Sequence, residues 1–167
     1  MKTVLFVCSG NTCRSPMAEA IFNDAINGRP RLKAAGVRAV SAGTFACEGA
    51  EMAKNAERAL DKMGVRLPLY RHGARQFTRS LAEEADLILA MQEQHLEEIA
   101  ALAPGMEKKA GTLKGYALGR DGFTGSYEYD IEDPYGQPLY VYEEVASELK
   151  SFIEKAMDRM EREWLAD

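Results

Sequence analysis

The stretch TVLFVCSGNTCRSPMAEAIF, residues 3–22, decides the fold. Its first part, TVLFVC, is an uninterrupted apolar run rich in β-branched residues, which is typical of a strand buried on both faces. After a polar segment the apolar period changes: Pro16 suits the start of a helix, and Met17, Ile21 and Ala25 recur at four-residue spacing. The stretch therefore predicts a strand, a short loop, and a helix that ends near Asn27-Gly28.

The same alternation of strands and helices continues along the chain. Further strands are predicted within GVRAVSAG (36–43), ADLILAM (85–91) and KAGTL (109–113), and further helices over 50–63, 92–102 and from Leu139 onward. Strands that alternate with helices imply right-handed crossovers and a parallel sheet. The predicted fold class is therefore α/β: a three-layer sandwich with a central, twisted, parallel sheet of about four strands and helices on both faces.

Composition restricts the domain count, the partners and the location. The 167 residues, 46% of them hydrophobic, suit a single domain over residues 1–167, with a monomer as the simplest state. A net charge of −5 with no basic stripe argues against nucleic acid as a partner. No apolar run approaches a membrane span of roughly 20 residues or a secretory signal, so no membrane partner is predicted. Three cysteines are too few for a disulfide framework, which favours a reducing, cytoplasmic location.

The loop after the first strand has the features of a phosphate site. Cys8 ends that strand, and ligands of such sheets bind at the carboxyl ends of the strands. A helix amino terminus follows, where free N–H groups attract an anion and also stabilise a thiolate, so Cys8 is a candidate nucleophile. Arg14 offers a planar fork for two phosphate oxygens, and Ser15 can donate a hydrogen bond to the departing sulfur. We therefore predict a phosphate-binding loop that comprises Ser9, Gly10, Asn11, Thr12, Cys13, Arg14 and Ser15.

Other interpretations of this loop are weaker. Zinc is disfavoured because Cys8 and Cys13 lack the C-x-x-C spacing and a second ligand pair. A nucleotide-binding Walker loop would end in Gly-Lys-Ser/Thr, where this chain has Cys-Arg-Ser. A buried cysteine with an incidental arginine fits the residues themselves but not their place between a strand and a helix. Neither a metal nor another cofactor is predicted.

Four motifs in order carry a family resemblance: VCSGNTCRSPMAEAIF (7–22), SAGT (41–44), ADLILAM (85–91) and DPYG (133–136). Together they resemble the low-molecular-weight protein-tyrosine phosphatases along nearly the whole chain. The resemblance implies a metal-independent hydrolase that forms a phosphocysteine on Cys8, with Arg14 as the phosphate ligand and Asp133 as the general acid and later base. Tyr135 is then an aromatic wall for the substrate, although DPYG taken alone favours a turn with a capping aspartate.

The resemblance also implies residues that support the loop. Asn11 suits a left-handed turn, and the implied hydrogen-bond network comprises Asn11, Ser15, Ser41 and His72. Cys13 could form a disulfide with Cys8 that protects the thiolate from over-oxidation, or it could simply fill space in the loop. Cys47 has no visible partner, and His95 is expected to be solvated on a polar helix face.

Thr12 bears on which phosphorylated residue is the substrate. The commonest tyrosine-phosphatase pattern has an aliphatic residue there, whereas GNTCRS resembles the protein-arginine phosphatase branch, which often has phenylalanine in place of Tyr135. A hydroxyl can hydrogen-bond a guanidinium, so phosphoarginine is favoured over phosphotyrosine.

Expected partners are phosphorylated proteins and inorganic phosphate or a similar oxyanion. A non-catalytic phosphate-binding or redox-sensing module would not need Asp133, and an arsenate reductase would need cysteines beyond Cys47.

Overall fold

A four-stranded parallel sheet forms the centre of the molecule. The computed structural model describes residues 1–66 and 72–166, and its strands lie in the order β2-β1-β3-β4 with all neighbouring pairs parallel. The four strands are β1 (Thr3–Cys8), β2 (Arg38–Gly43), β3 (Leu87–Ala90) and β4 (Ala110–Thr112). Each lies within one of the apolar runs that predicted it.

Helices cover both faces of the sheet. In the described part of the chain the α-helices are α1 (Arg14–Ala25), α2 (Pro30–Ala34), α3 (Lys54–Lys62), α4 (Arg79–Glu84), α5 (Glu93–Leu102), α6 (Leu113–Ala117) and α7 (Leu139–Trp164). Side chains of α1, α3 and α7 pack in one apolar cluster, and side chains of α4 and α5 pack in a second. The three-layer α/β prediction is confirmed.

The alternation of side chains along β1 explains these two clusters. Val4, Phe6 and Cys8 belong to the first cluster, whereas Leu5 and Val7 belong to the second. Successive side chains of a strand point to opposite faces, so a strand covered on both sides must be apolar throughout. This is why the start of the chain is a continuous apolar run.

Some helix boundaries differ from the prediction. The helix expected from residue 50 begins at Lys54, because Ala53 has extended backbone (ψ 137°) and forms its cap. The first helix begins at Arg14, which places Pro16 within its first turn. The sequence did not predict α2, α4 and α6, since helices of five or six residues are stabilised by the surrounding structure rather than by an apolar repeat of their own.

The connections at the carboxyl ends of β1 and β2 build the site. A third, longer connection runs between α6 and α7 and contains one 3₁₀ turn, Tyr127–Tyr129; we call residues 118–138 the 118–138 loop. Within the described ranges, no helix combines the length and the apolar character that crossing a membrane requires.

Candidate active site

The predicted phosphate-binding loop connects β1 directly to α1. Cys8 is the last residue of β1 and Arg14 is the first of α1, so residues 9–13 form the turn between them. Asn11 has the left-handed backbone conformation (φ 58°) that its residue type tolerates in a tight turn. The turn leaves Cys8 3% exposed beside the amino terminus of α1, whose first N–H groups have no partner within the helix.

The end of β2 supports this loop from the side. The N–H groups of Thr44 and Phe45 donate to the carbonyl oxygens of Cys8 and Ser9, each at 2.9 Å. Gly43 permits this close approach, because a Cβ at that position would lie 2.4 Å from the carbonyl oxygen of Ser9. Phe45 is 75% exposed at this point, and the sequence interpretation did not identify it as part of the rim.

The Cys8 thiol has a direct hydroxyl partner. Its Sγ lies 2.8 Å from Oγ of Ser15, which is fully buried. The same oxygen accepts a hydrogen bond from Nδ2 of Asn11 at 2.8 Å. The hydroxyl proton of Ser15 then has two acceptors within reach, the Cys8 sulfur at 2.8 Å and the carbonyl oxygen of Ala42 at 3.4 Å. The shorter contact places a hydrogen-bond donor beside the sulfur.

Asn11 links the four residues of the implied support network. Its Nδ2 also donates to Oγ of Ser41 at 3.0 Å, and its Oδ1 accepts the N–H of Arg75 at 3.0 Å. Nε2 of His72 lies 2.7 Å from the Asn11 carbonyl oxygen, and because a carbonyl only accepts, the imidazole is the donor. The structure thus brings Asn11, Ser15, Ser41 and His72 together behind the loop, and adds the backbone of Arg75.

The expectation that His95 is solvated is wrong. Its side chain is fully buried, and Nδ1 accepts the N–H of Gln92 at 3.1 Å, so Nε2 carries the proton and donates to Oγ of Ser9 at 2.9 Å. Burial, with a smaller contribution from the charge of Arg14, lowers the pKa of His95 to about 3. A neutral histidine therefore holds the phosphate loop at Ser9, a role that local sequence pattern did not reveal.

Arg14 and Asp133 meet at the mouth of the site. The Arg14 side chain is almost fully buried; Nη1 donates to the carbonyl oxygen of Ile131 at 3.0 Å, and Nη2 lies 3.5 Å from Oδ2 of Asp133. The Asp133 side chain is 48% exposed, and its Oδ1 accepts the N–H of Tyr135 at 3.1 Å. Tyr135 itself is 73% exposed, at the open side of the site. The aspartate thus makes the turn contact expected of DPYG while also reaching the arginine.

Thr12 and Cys13 are the last two residues of the loop before α1. Thr12 is half-buried, and among the described residues its hydroxyl has one side-chain contact, a long one of 3.8 Å with Sγ of Cys13. Cys13 is buried with its Sγ 3.5 Å from the hydroxyl of Tyr142, and burial is the main cause that raises the pKa of its thiol. Cys47 is exposed, and all three cysteines are free thiols.

Four kinds of functional group therefore lie together at the carboxyl end of β1. They are a thiol with a hydrogen-bond donor, a buried guanidinium, a half-exposed carboxylate, and backbone N–H groups at a helix amino terminus. An anion with a leaving group on its far side can contact all of them. This arrangement can transfer a phosphoryl group to sulfur and then to water.

Comparison with known proteins agrees with this chemistry. A sequence model of the family described as low molecular weight phosphotyrosine protein phosphatase matches residues 3–165. The protein-arginine-phosphatase of Geobacillus stearothermophilus is 34% identical over 160 residues, which cover 96% of this chain and 97% of the relative. The probable low molecular weight protein-tyrosine-phosphatase EpsP of Ralstonia solanacearum is 32% identical with the same coverage.

Solved structures give the same result. The YwlE arginine phosphatase from Geobacillus stearothermophilus superposes with a TM-score of 0.82 at 34% identity, over 99% of this chain and 96% of that one. A YwlE mutant with a phosphorylated active-site serine superposes with a TM-score of 0.80 at 32% identity, over 99% of each chain. The relatives are named as phosphatases, which are hydrolases, and the resemblance inferred from the motifs is confirmed: the chain belongs to the low molecular weight phosphotyrosine protein phosphatase family.

Proposed function

We propose that this protein is a cysteine-dependent phosphatase of phosphorylated protein side chains, with Cys8 as nucleophile, Arg14 as phosphate ligand and Asp133 as general acid and base. The observation that carries the proposal is the meeting of these groups at the carboxyl end of β1. Oγ of Ser15 lies 2.8 Å from the Cys8 sulfur, and Nη2 of Arg14 lies 3.5 Å from the Asp133 carboxylate. Nucleophile, anion ligand and proton donor are the three groups that a phosphoenzyme mechanism requires.

In the first step the Cys8 thiolate attacks phosphorus, and the bond from phosphorus to the leaving nitrogen or oxygen breaks. The protonated carboxyl of Asp133 gives its proton to the leaving atom. The guanidinium of Arg14 and the N–H groups of the loop and of α1 balance the charge on the transferred oxygens. The products of this step are the dephosphorylated side chain and a phosphocysteine.

In the second step water attacks the phosphocysteine. The Asp133 carboxylate accepts a proton from that water, the sulfur–phosphorus bond breaks, and its electron pair returns to the sulfur. Ser15 donates its hydroxyl proton in a hydrogen bond to the thiolate as it leaves, which makes the sulfur a better leaving group. Inorganic phosphate is released and the enzyme returns to its starting state.

Phosphoarginine is the favoured substrate. Within residues 1–66 and 72–166 the Thr12 hydroxyl makes a single side-chain contact, at 3.8 Å to sulfur, so it can accept a guanidinium N–H, and the half-exposed Asp133 can accept a second one. The most similar relatives reported above are named arginine phosphatases. Phosphotyrosine is the second candidate, favoured by the exposed rings of Phe45 and Tyr135 at the rim, to which a phenyl ring can stack.

A substrate comparison decides between these two candidates. We expect kcat/KM to be higher on phosphoarginine than on phosphotyrosine peptides of the same sequence, and Thr12→Ile to reverse or flatten that ratio. Thr3→Ile, at the opposite end of β1, is the matched control and should leave the ratio unchanged. A wild-type preference for phosphotyrosine, or a ratio that Thr12→Ile does not alter, contradicts the assignment.

Turnover separates the phosphatase from a non-catalytic module. Wild type should hydrolyse p-nitrophenyl phosphate in the presence of a chelator, and Cys8→Ser should abolish this turnover. Binding of phosphate without turnover by the wild type would instead indicate a phosphate-binding or redox-sensing module. The single domain over residues 1–167, the monomeric state, the cytoplasmic location and the independence from metals remain predictions.

A further inference from the structure

The 118–138 loop, which carries Asp133, has little apolar burial to hold it. Among its residues only Ile131 and Pro134 are buried. Long connections without regular structure are positioned by the contacts they make rather than by a local fold. The location of Asp133 therefore depends on the polar contacts that this loop makes with the rest of the protein.

Glu93 provides two of these contacts through its side chain. It is the first residue of α5 and only 8% exposed, and its Oε1 accepts the N–H groups of both Thr124 and Gly125, at 2.5 and 2.8 Å. Hydrogen bonds to an ionised acceptor are stronger than neutral ones, and two donors on one oxygen fix the backbone direction. A buried polar atom is costly unless it is hydrogen-bonded, and the loop backbone satisfies Oε1, whereas Oε2 is buried without a hydrogen-bond partner among the described residues.

Two further hydrogen bonds join Met91 and Glu93, at the junction of β3 and α5, to the 118–138 loop. The Glu93 N–H donates to Oδ1 of Asp130 at 2.8 Å, and the Ile131 N–H donates to the carbonyl oxygen of Met91 at 2.8 Å. The carbonyl of Ile131 in turn accepts from Arg14, and Asp133 follows two residues later. The contacts thus run from the end of β3 through the start of α5 to the aspartate.

We propose that Glu93 is a positioning residue for the general acid: its buried carboxylate holds the 118–138 loop so that Asp133 reaches the leaving group. The inference rests on the proposed function, because it takes Asp133 to be the acid. Glu93 contacts neither the phosphate loop nor Asp133 in any described hydrogen bond, so it acts through the loop backbone. It follows that losing Glu93 impairs proton transfer to the leaving group more than it impairs attack by Cys8.

Leaving-group dependence tests this distinction. p-Nitrophenyl phosphate has a leaving group that needs little protonation, whereas phenyl phosphate releases a phenol with a pKa of about 10, like that of tyrosine. We expect Glu93→Ala to lower kcat/KM about 10- to 100-fold on phenyl phosphate and less than about threefold on p-nitrophenyl phosphate, since only the acid is displaced. Inhibition by inorganic phosphate should stay within about twofold of wild type, because the phosphate loop is untouched.

Two matched variants on the same helix act as controls. Glu93→Gln keeps an oxygen that accepts the same two N–H groups, so it should restore most of the activity on phenyl phosphate. Glu97→Ala removes an exposed carboxylate from α5 and should match wild type on both substrates. If Glu93→Ala does not fold, Asp130→Ala, which removes the neighbouring link, should give the same selective loss. An equal loss on both substrates, or weaker phosphate inhibition, overturns the proposal.

A double mutant separates this inference from the proposed function. In an Asp133→Ala background, Glu93→Ala should cause no further loss on phenyl phosphate, because the group that it positions is gone. Multiplicative losses would show that Glu93 acts independently of Asp133 and would overturn the inference alone. If Asp133→Ala itself retains wild-type activity on phenyl phosphate, the assignment of the acid fails, and the inference fails with it.

Discussion

Replacing Gly43 by alanine tests how closely the phosphate loop is held against β2. An alanine Cβ would lie 2.4 Å from the Ser9 carbonyl oxygen and 2.9 Å from the Asn11 nitrogen, and the first distance is about 1 Å shorter than the 3.4 Å at which ordinary van der Waals contact begins. Both atoms belong to the loop backbone, so no side-chain rotation relieves the overlap. The loop must move by several tenths of an ångström to about 1 Å.

This displacement has a predicted size in both stability and rate. Overpacking typically costs about 1–3 kcal/mol in the free energy of unfolding. A misplacement of about 1 Å at reacting groups costs about 100-fold in rate. We therefore expect Gly43→Ala to lower kcat/KM on p-nitrophenyl phosphate about 100-fold and to weaken phosphate inhibition, while urea unfolding reports the smaller loss of stability.

Gly28→Ala is the matched control for this substitution. Gly28 is exposed, its backbone is not left-handed, and an added Cβ would meet no atom within 4 Å. It should therefore retain wild-type kinetics. Misplaced reacting groups should slow the reaction about 100-fold. If kcat/KM of Gly43→Ala instead stays within about twofold of that of Gly28→Ala, the loop adjusts freely and the reasoning from close contact is refuted.

Three further predictions follow from the site. Asp133→Ala should lower turnover of phosphoarginine peptides by about 10²- to 10⁴-fold, as removal of a general acid does; an unchanged rate would exclude it. Because the pKa of His95 is lowered to about 3 from an ordinary 6.5, its contribution to stability is present above pH 6.5 and is lost as the pH falls toward 3. In urea unfolding, the free energy of unfolding of the wild type should therefore fall relative to that of His95→Gln by about 1.4 kcal/mol per pH unit below pH 6.5. A difference between the two proteins that does not change with pH contradicts this. After peroxide oxidises Cys8 to the sulfenic acid, Cys13 should displace hydroxide to form a disulfide that dithiothreitol reverses; equal recovery of activity in Cys13→Ser would argue against that disulfide.

The elements with a strong apolar pattern were predictable from sequence, and those without one were not. β1 and β3 are short uninterrupted apolar runs, and α7 has a long periodic face, because each buries its side chains against the same sheet. In contrast, α4 has six residues and a cap from the Thr78 hydroxyl, which accepts the N–H of Leu81. Its formation depends on its packing against β1, which no local pattern encodes.

Some residues of the site were likewise predictable from local sequence, and others were not. The order strand, Cys8, loop, Arg14, helix identifies an anion site because the residues that build it are adjacent in the chain. His95 was misjudged because its partner, Ser9, lies 86 residues away, and its polar neighbours suggested a solvated face. Glu93 gave no signal at all, since its partners are backbone N–H groups, which every sequence provides. Asp133 was identified only through family resemblance.

The place of β1 at the centre of the sheet governs when activity can arise during synthesis. β1 is translated before α7, yet Val4 and Phe6 share an apolar cluster with α7, and the Lys2 ammonium lies 5.6 Å from the ring of Trp164. Until α7 has been synthesised, this face of the sheet lacks one of the three helices, α1, α3 and α7, that share its apolar cluster, and the thiol of Cys8 lies on an incomplete scaffold. We therefore expect a nascent chain that stops before α7 to carry the Cys8 thiol without hydrolytic activity, so hydrolysis begins only after α7 has been translated.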